Sequence, residues 1–395
     1  MVEPVAHIYK QGELAAVFSN DSGNVRFDYL SDYVTLGKPA VATSLPLASG
    51  PIVLANGATP AFFAGLLPEG PRLLAMRSRI KTSLNDEVGL LLEIGEDLIG
   101  DVQVLAPGAD PKLEREVLKL PTKSEDLDFA QIRQDAFGSR ASGLPGVQDK
   151  VSSRMMSAPA KTAGIDYMLK LNPAAAPFAV ENEHYFLGLA NDCGLATADF
   201  SLLTDKNGEH ALRLKRFDRI YRHPKTIRLA AEDGCQVMGR YASEKYNADF
   251  LDVANALIER CPSRVAAALS LFRQLVFNWL IGNGDAHAKN YSILMTETGE
   301  WRVSPAYDLL CTRFYDDRNM ALPLAGKAEG WSRALLLDAA AKLGLNEVMA
   351  IKVIDRQLAV LSNLPEDILG GALPFARHLN IDVAAFLKKR ARAIS

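Results

Sequence analysis

Asp285, His287, Lys289 and Asn290 fall within one short polar loop, and Asp308 follows Asn290 by eighteen residues. An Asp and an Asn five apart is the spacing by which a kinase catalytic loop offers a base and a metal ligand. The Asp would face an attacking hydroxyl, while the Asn oxygen turns to a metal. Mg²⁺ favours hard oxygen donors, and Asn290 with Asp308 supplies two beside the phosphates of ATP. His287 and Lys289 are placed to reach phosphate oxygens or to steady the loop. The chemistry so indicated is phosphoryl transfer, which asks mainly for positioning and charge neutralisation. Singly, each residue has a plainer explanation. G-D and N-G are common turn dipeptides, and His287 could brace the loop.

An apolar helical stretch over 263–281 leads into this loop. Two short strands, 291–295 and 301–303, follow it around the turn Glu297-Thr298-Gly299-Glu300. That hairpin separates Asp285 and Asn290 from Asp308. Upstream, Lys170 lies deep inside the strand I-D-Y-M-L-K-L, where an ammonium needs an acid or phosphate partner. Glu183 stands thirteen residues on, in a helix over 180–190. A strand lysine answered by a helix glutamate is the kinase ion pair that orients the nucleotide phosphates. The alternative is that Lys170 snorkels at a sheet edge and Glu183 faces solvent. Before both lies the segment 139–152, with Gly143 and Gly146, whose backbone N–H groups could approach phosphate oxygens. A plain hairpin turn is the competing reading. Ser139 and Ser142 on that loop would lie near a bound γ-phosphate. Strands at 199–203 and 211–215 run into Lys215-Arg216-Phe217-Asp218-Arg219, where a small lobe would hand over to a helical one and meet adenine.

The 395 residues suffice for a large two-lobed enzyme, and 48% hydrophobic with 23% charged residues is ordinary for a globular chain. A net charge of −3 gives no global drive toward nucleic acid or membrane, so DNA contact would be local or come through a partner. Cys193, Cys235, Cys261 and Cys311 are scattered, which suggests free thiols in a reducing cytoplasm rather than disulfides or zinc. Neither a leader pattern nor an 18-residue apolar run is present, so neither export nor a membrane span is expected. A P-loop NTPase is excluded by the missing G-K-[ST]; G-x-S-x-G, the serine-hydrolase signature, is absent too.

The expected fold class is α+β: a two-lobed, protein-kinase-like fold with a β-rich N-terminal module and an all-helical C-terminal lobe. Residues 1–105 form the module, with strands at 6–10, 14–18, 25–29 and 100–105 and helices at 71–79 and 85–94. The charged, proline-rich stretch 106–128 reads as a linker, 129–219 as the small lobe and 220–395 as the helical lobe. The basic cluster 388–392 ends a helix expected over 382–393, where it would complement the helix dipole.

These motifs together resemble the HipA-type serine/threonine kinase toxins of bacterial toxin–antitoxin systems. The matching pieces are F-F-A-G-L-L-P-E-G (62–70), G-V-Q-D-K (146–150), Y-M-L-K-L, E-N-E-H-Y (181–185), R-F-D-R (216–219), G-D-A-H-A-K-N (284–290) and P-A-Y-D-L (305–309). The resemblance implies a compact kinase of the phosphatidylinositol-kinase-like kind using ATP and Mg²⁺. It implies Asp285 as catalytic base and Asn290 and Asp308 as metal ligands. Gly146, Val147, Gln148, Lys150, Lys170, Glu183, Arg216, Phe217, His287 and Lys289 would surround the nucleotide. It also implies a translation component as substrate, an aminoacyl-tRNA synthetase such as glutamyl-tRNA synthetase, with growth arrest as the result. Autophosphorylation of a Gly-loop serine would switch the kinase off. The family's serine position is Gly143 here, so Ser142 is the first choice and Ser139 the second. Lys215 stands where some members carry Glu. A small helix-turn-helix antitoxin (HipB-like) would bind the kinase and recruit DNA, with the kinase as corepressor. A small-molecule phosphotransferase would share Asp285, Asn290 and Asp308, and a kinase-like scaffold without activity is a third reading.

Overall fold

The computed structural model describes residues 4–395 apart from 22, 84, 113–117, 122, 138–155, 174 and 223–224. Alternating apolar residues make the N-terminal module a five-stranded antiparallel sheet. Its strands are β1 (Pro4–Lys10), β2 (Glu13–Asp21), β3 (Asn24–Tyr29), β4 (Ile52–Leu54) and β5 (Val102–Leu105), in the order β4-β3-β2-β1-β5. Period-two alternation turns Ile8, Phe18 and Phe27 to one face, where Phe63 packs against Phe18 with ring centroids 4.9 Å apart. The helices expected near 71–79 and 85–94 are Gly70–Ile80 and Glu87–Ile94. Asp86 caps the second, accepting the Gly89 N–H at 3.0 Å.

The stretch 106–128, expected as a linker, belongs to the small lobe. Its strand β6 (Leu118–Lys119) pairs in parallel with β7 (Met156–Thr162), and Leu120 and Leu127 are buried with Phe129, Leu169 and Leu171. Spaced leucines among prolines and charges carry no clean period, so the composition hid a short edge strand. The small-lobe sheet runs β6-β7-β8-β10-β9, with β8 (Ile165–Leu171), β9 (Phe200–Thr204) and β10 (His210–Lys215).

The C-terminal lobe is built mainly of the helices Phe250–Arg260, Arg264–Ile281, Arg333–Lys342, Glu347–Val360 and Arg377–Ile394, around the largest core cluster. It also holds the hairpin β11 (Arg219–Arg222) with β12 (Lys225–Arg228), and a sheet of β13 (Ala231–Asp233), β14 (Ser292–Met295) and β15 (Trp301–Val303). β14 and β15 are the strands expected around the 297–300 turn. The final helix begins at Arg377, before the expected 382. Arg390, assigned above to the helix dipole, is only 4% exposed. Its guanidinium donates to the carbonyls of Trp279 and Arg318 at 3.0 and 2.8 Å and lies 4.2 Å from the Trp279 ring centroid. Arg390 therefore ties the last helix to the core helix. No described helix is long and apolar enough to cross a membrane, and the four cysteines are buried and free.

Candidate active site

The core helix Arg264–Ile281 stops at Gly282, whose φ of 72° is the left-handed turn that favours glycine. Gly284 comes so close to the Asn319 carbonyl that a Cβ would lie 2.6 Å from that oxygen. The two glycines turn the chain abruptly into the polar loop. That loop is buried: Asp285 is 2% exposed and Asn290 6%. Buried polar groups need partners, and the loop supplies several of its own. Asn290 Oδ1 accepts the His287 N–H at 2.9 Å, and Asn290 Nδ2 donates to Asp308 Oδ2 at 2.9 Å. Asn283 Nδ2 donates to the Asp308 carbonyl at 2.9 Å.

Asp308 has a φ of 53°, which a non-glycine residue adopts at some cost. The turn aims its carboxylate at both lobes. On the small-lobe side it forms an ion pair with Lys170 of β8, and its own N–H donates to Glu183 Oε1 at 3.1 Å. Lys170 Nζ in turn donates to Glu183 Oε1 and Oε2 at 2.8 and 2.9 Å. Glu183 sits on the helix Ala179–Asp192 and is fully buried. Lys170 thus neither snorkels nor sits at an edge, since β8 lies between β7 and β10. Burial alone would lower the Lys170 ammonium's pKa, but the Asp308 and Glu183 carboxylates outweigh it and raise it. Burial raises Glu183, whereas Lys170 overcomes burial and lowers Asp308. Burial, with the Lys245 charge adding to it, drives His287 down to about 3, so its imidazole is neutral at ordinary pH.

The side chains of Asp308 and Asn290 are of the hard-oxygen kind that suits Mg²⁺. Asp308 offers carboxylate oxygen and its side chain keeps 24% of its exposure. The Asn290 amide, whose nitrogen faces Asp308 and whose oxygen accepts the His287 N–H, would present oxygen to a metal once turned over. Among the described residues no three His, Cys, Asp or Glu side chains form a metal cage. Mg²⁺ ordinarily completes its shell with water and phosphate oxygens rather than with an all-protein cage.

Of the residues expected at the site, Lys170, Glu183, His287, Asn290 and Asp308 converge, with Asp285 on the same loop. Phe217 stacks on Tyr307, centroids 5.9 Å apart, and the Tyr307 hydroxyl donates to the Lys289 carbonyl at 2.6 Å. Two residues are placed differently. Arg216, expected at the nucleotide, points its guanidinium into the N-terminal module, meeting Asp97 Oδ1 at 2.8 Å and the Leu98 carbonyl at 2.9 Å. Its N–H donates to the Asp166 carbonyl at 3.0 Å. The Lys289 ammonium donates to Asp233 Oδ2 at 2.7 Å and to the Gly65 carbonyl at 3.0 Å. Of its two expected roles, that is the loop-steadying one. Gly146, Val147, Gln148 and Lys150, with Ser142 and Ser139, lie outside the described residues.

Sequence reasoning missed Tyr246. Its hydroxyl donates to Asp285 Oδ1 at 3.0 Å from 39 residues away. It also missed Lys245, buried beside it, and Glu69, the partner of Lys245. No period or spacing marks Tyr246; only the P-E-G ending of the 62–70 motif hinted that Glu69 mattered.

Comparison with known families matches residues 142–364 to the HipA-like C-terminal domain and residues 6–105 to the HipA N-terminal domain. The protein Y4mE of Sinorhizobium fredii is 28% identical over 93% of this chain and 93% of its own length. The serine/threonine-protein kinase toxin HipA of Shewanella oneidensis is 28% identical over 67% of this chain and 65% of its own. Among solved structures, a Shewanella oneidensis complex of HipA, HipB and operator DNA contains a chain similar to this one. The TM-score is 0.76 at 20% identity, covering 98% of this chain and 96% of that one.

Proposed function

The chain belongs to the HipA family of serine/threonine kinase toxins, and from that premise we propose that it transfers the γ-phosphoryl group of ATP to a hydroxyl of a protein substrate. The observation that carries this reading is the three-way contact of Lys170 with Glu183 and Asp308, with Asn290 bound to Asp308 from the loop. A positive charge, two carboxylates and a side-chain amide are thereby gathered from both lobes at one point.

In this reading Asp285 takes the proton of the attacking hydroxyl as the phosphoryl group departs. Lys170, held by Glu183, neutralises phosphate charge. Phe217 offers an aromatic face to adenine, and the 146–150 segment with Gly146, Val147, Gln148 and Lys150 covers the phosphates. The neutral His287 braces the loop beside them. Bound Mg²⁺, on Asn290 and Asp308, would offset charge on the phosphate oxygens.

The protein substrate is a translation component, with an aminoacyl-tRNA synthetase such as glutamyl-tRNA synthetase as the first candidate. Phosphorylation would act in the cytoplasm and arrest growth. Ser142, or failing it Ser139, is the autophosphorylation site. The antitoxin partner is a helix-turn-helix protein of the HipB kind, by analogy with the HipA–HipB–operator complex, and DNA is engaged mainly through it. The test is incubation of the full chain with γ-labelled ATP, Mg²⁺ and cell lysate. One labelled protein band that vanishes with Asp285→Asn is expected. Equal labelling by a folded Asp285→Asn chain would overturn the assignment of the base.

A further inference from the structure

The candidate base is held by a segment remote from it in sequence. Tyr246 lies between the short turn Ala242–Glu244 and the helix Phe250–Arg260, and its hydroxyl donates to Asp285 Oδ1 at 3.0 Å. Burial first, and then the charge of Asp285, push this phenol above the ordinary tyrosine range. It therefore keeps its proton and stays a donor. The Tyr246 ring meets His287 edge-on, centroids 5.3 Å apart. The same segment grips the loop backbone, since the Ala288 N–H donates to the Lys245 carbonyl at 3.1 Å.

This segment is in turn fastened to the N-terminal module. Lys245, with 9% of its side chain exposed, forms an ion pair with Glu69, which is 32% exposed. Tyr241 donates to the Thr59 carbonyl at 3.0 Å, and Gln236 Nε2 to the Phe62 carbonyl at 2.9 Å. The loop's own Lys289 reaches the Gly65 carbonyl at 3.0 Å. Residues 59–69 thus touch the catalytic loop both directly and through its neighbour, over a continuous chain of contacts.

We propose that Tyr246 is a positioning residue that fixes the Asp285 carboxylate, and that the Glu69–Lys245 ion pair makes the N-terminal module a structural part of the catalytic site. The proposal rests on the assignment of Asp285 as the base. A carboxylate on a loop turns about its own torsions, and a hydroxyl donor on one oxygen restricts that rotation. Small misplacements of a catalytic group are costly to rate. Lys245 without Glu69 would be a buried ammonium lacking its partner, and the backbone that carries Tyr246 would shift to hydrate it.

The test uses the full chain, γ-labelled ATP and casein as a generic acceptor, with label in the chain itself as a second readout. Tyr246→Phe is expected to lower kcat roughly 10- to 100-fold. KM for ATP should change by less than about threefold, so the loss falls on kcat alone. Glu69→Lys and Lys245→Glu should each lower kcat, and the double swap should recover about tenfold over either single variant. Glu69→Gln provides a milder variant should the charge reversals unfold the chain, and it too should lower kcat. A folded Tyr246→Phe chain with wild-type kcat, or one whose loss lies in KM rather than kcat, overturns the positioning role. Folded Glu69→Gln with wild-type kcat, or a folded double swap no better than the singles, overturns the role of the module. A wild-type chain that transfers no label refutes the kinase reading, and this inference falls with it.

Discussion

The guanidinium of Arg216, just past the small lobe's last strand, lies 2.8 Å from Asp97 Oδ1 and joins that lobe to the N-terminal module. Asp218 adds two contacts to the same guanidinium at 3.1 and 2.8 Å, and Arg219 repeats the pattern with Asp97, Asp218 and the Leu98 carbonyl. The R-F-D-R motif is thus mostly a clasp between modules. Only its phenylalanine, stacked on Tyr307, remains beside the expected adenine site.

Arg216→Ala is accordingly expected to act on stability rather than on nucleotide affinity. It leaves Asp97 and Asp218 partly unpaired in a buried setting, a change that typically costs about 3–5 kcal/mol. Denaturant melts should register that loss, while KM for ATP in the remaining folded chain moves by less than about threefold. Wild-type stability with a much larger KM would return Arg216 to the nucleotide.

The clasp also carries a pH dependence. Burial would raise Asp218 and Asp97, but Arg216 and Arg219 outweigh it and hold both below the usual carboxylate range. A folded-state pKa lower than the unfolded value of about 3.9 stabilises the chain above that pH. The contribution fades as pH falls from about 4 through the folded-state values. Unfolding midpoints measured from neutral pH downward should drop more steeply below about pH 4 in the wild type than in Asp218→Asn. Parallel curves would show that the clasp does not set the acid limit.

Lys170→Met should lower both activity and stability. It strands the Glu183 and Asp308 carboxylates beside each other with no cation between them, so one must take a proton. Phosphoryl transfer is expected to fall at least about 100-fold. Glu183→Gln, which keeps a hydrogen-bonding oxygen near Lys170, should reduce activity with the smaller stability change. The comparison is read from label transfer and melts on the same preparations, and equal activity of Lys170→Met and wild type would exclude Lys170 from the phosphate site.

Peptide mass spectrometry of the expressed chain should find phosphate on Ser142. The modification should be absent from Asp285→Asn, because the chain supplies its own catalyst. Phosphate on Ser139 alone would move the switch to the second choice, and phosphate on either serine of Asp285→Asn would point to another kinase.

Much of the candidate site was legible in residue order. Lys170, Glu183, Asn290 and Asp308 were marked by spacing, and the strand lysine was marked by the cost of burying its charge. The two-strand hairpin that separates Asn290 from Asp308 was legible as well, because period-two alternation and a Gly-containing turn are local signals. The helical lobe followed from helical periodicity for the same reason.

Tertiary structure decided what each cation faces. An arginine or lysine side chain spans several ångströms, and its partner is set by packing rather than by neighbours in sequence. Arg216 therefore turned to Asp97, Lys289 to Gly65 and Asp233, and Arg390 to the Trp279 ring. The strand Leu118–Lys119 inside the expected linker likewise declared itself only through its pairing with β7. Tyr246 is the sharpest case. Its bond to Asp285 exists because two helical-lobe segments 39 residues apart pack together, and no pattern in a single sequence encodes that meeting.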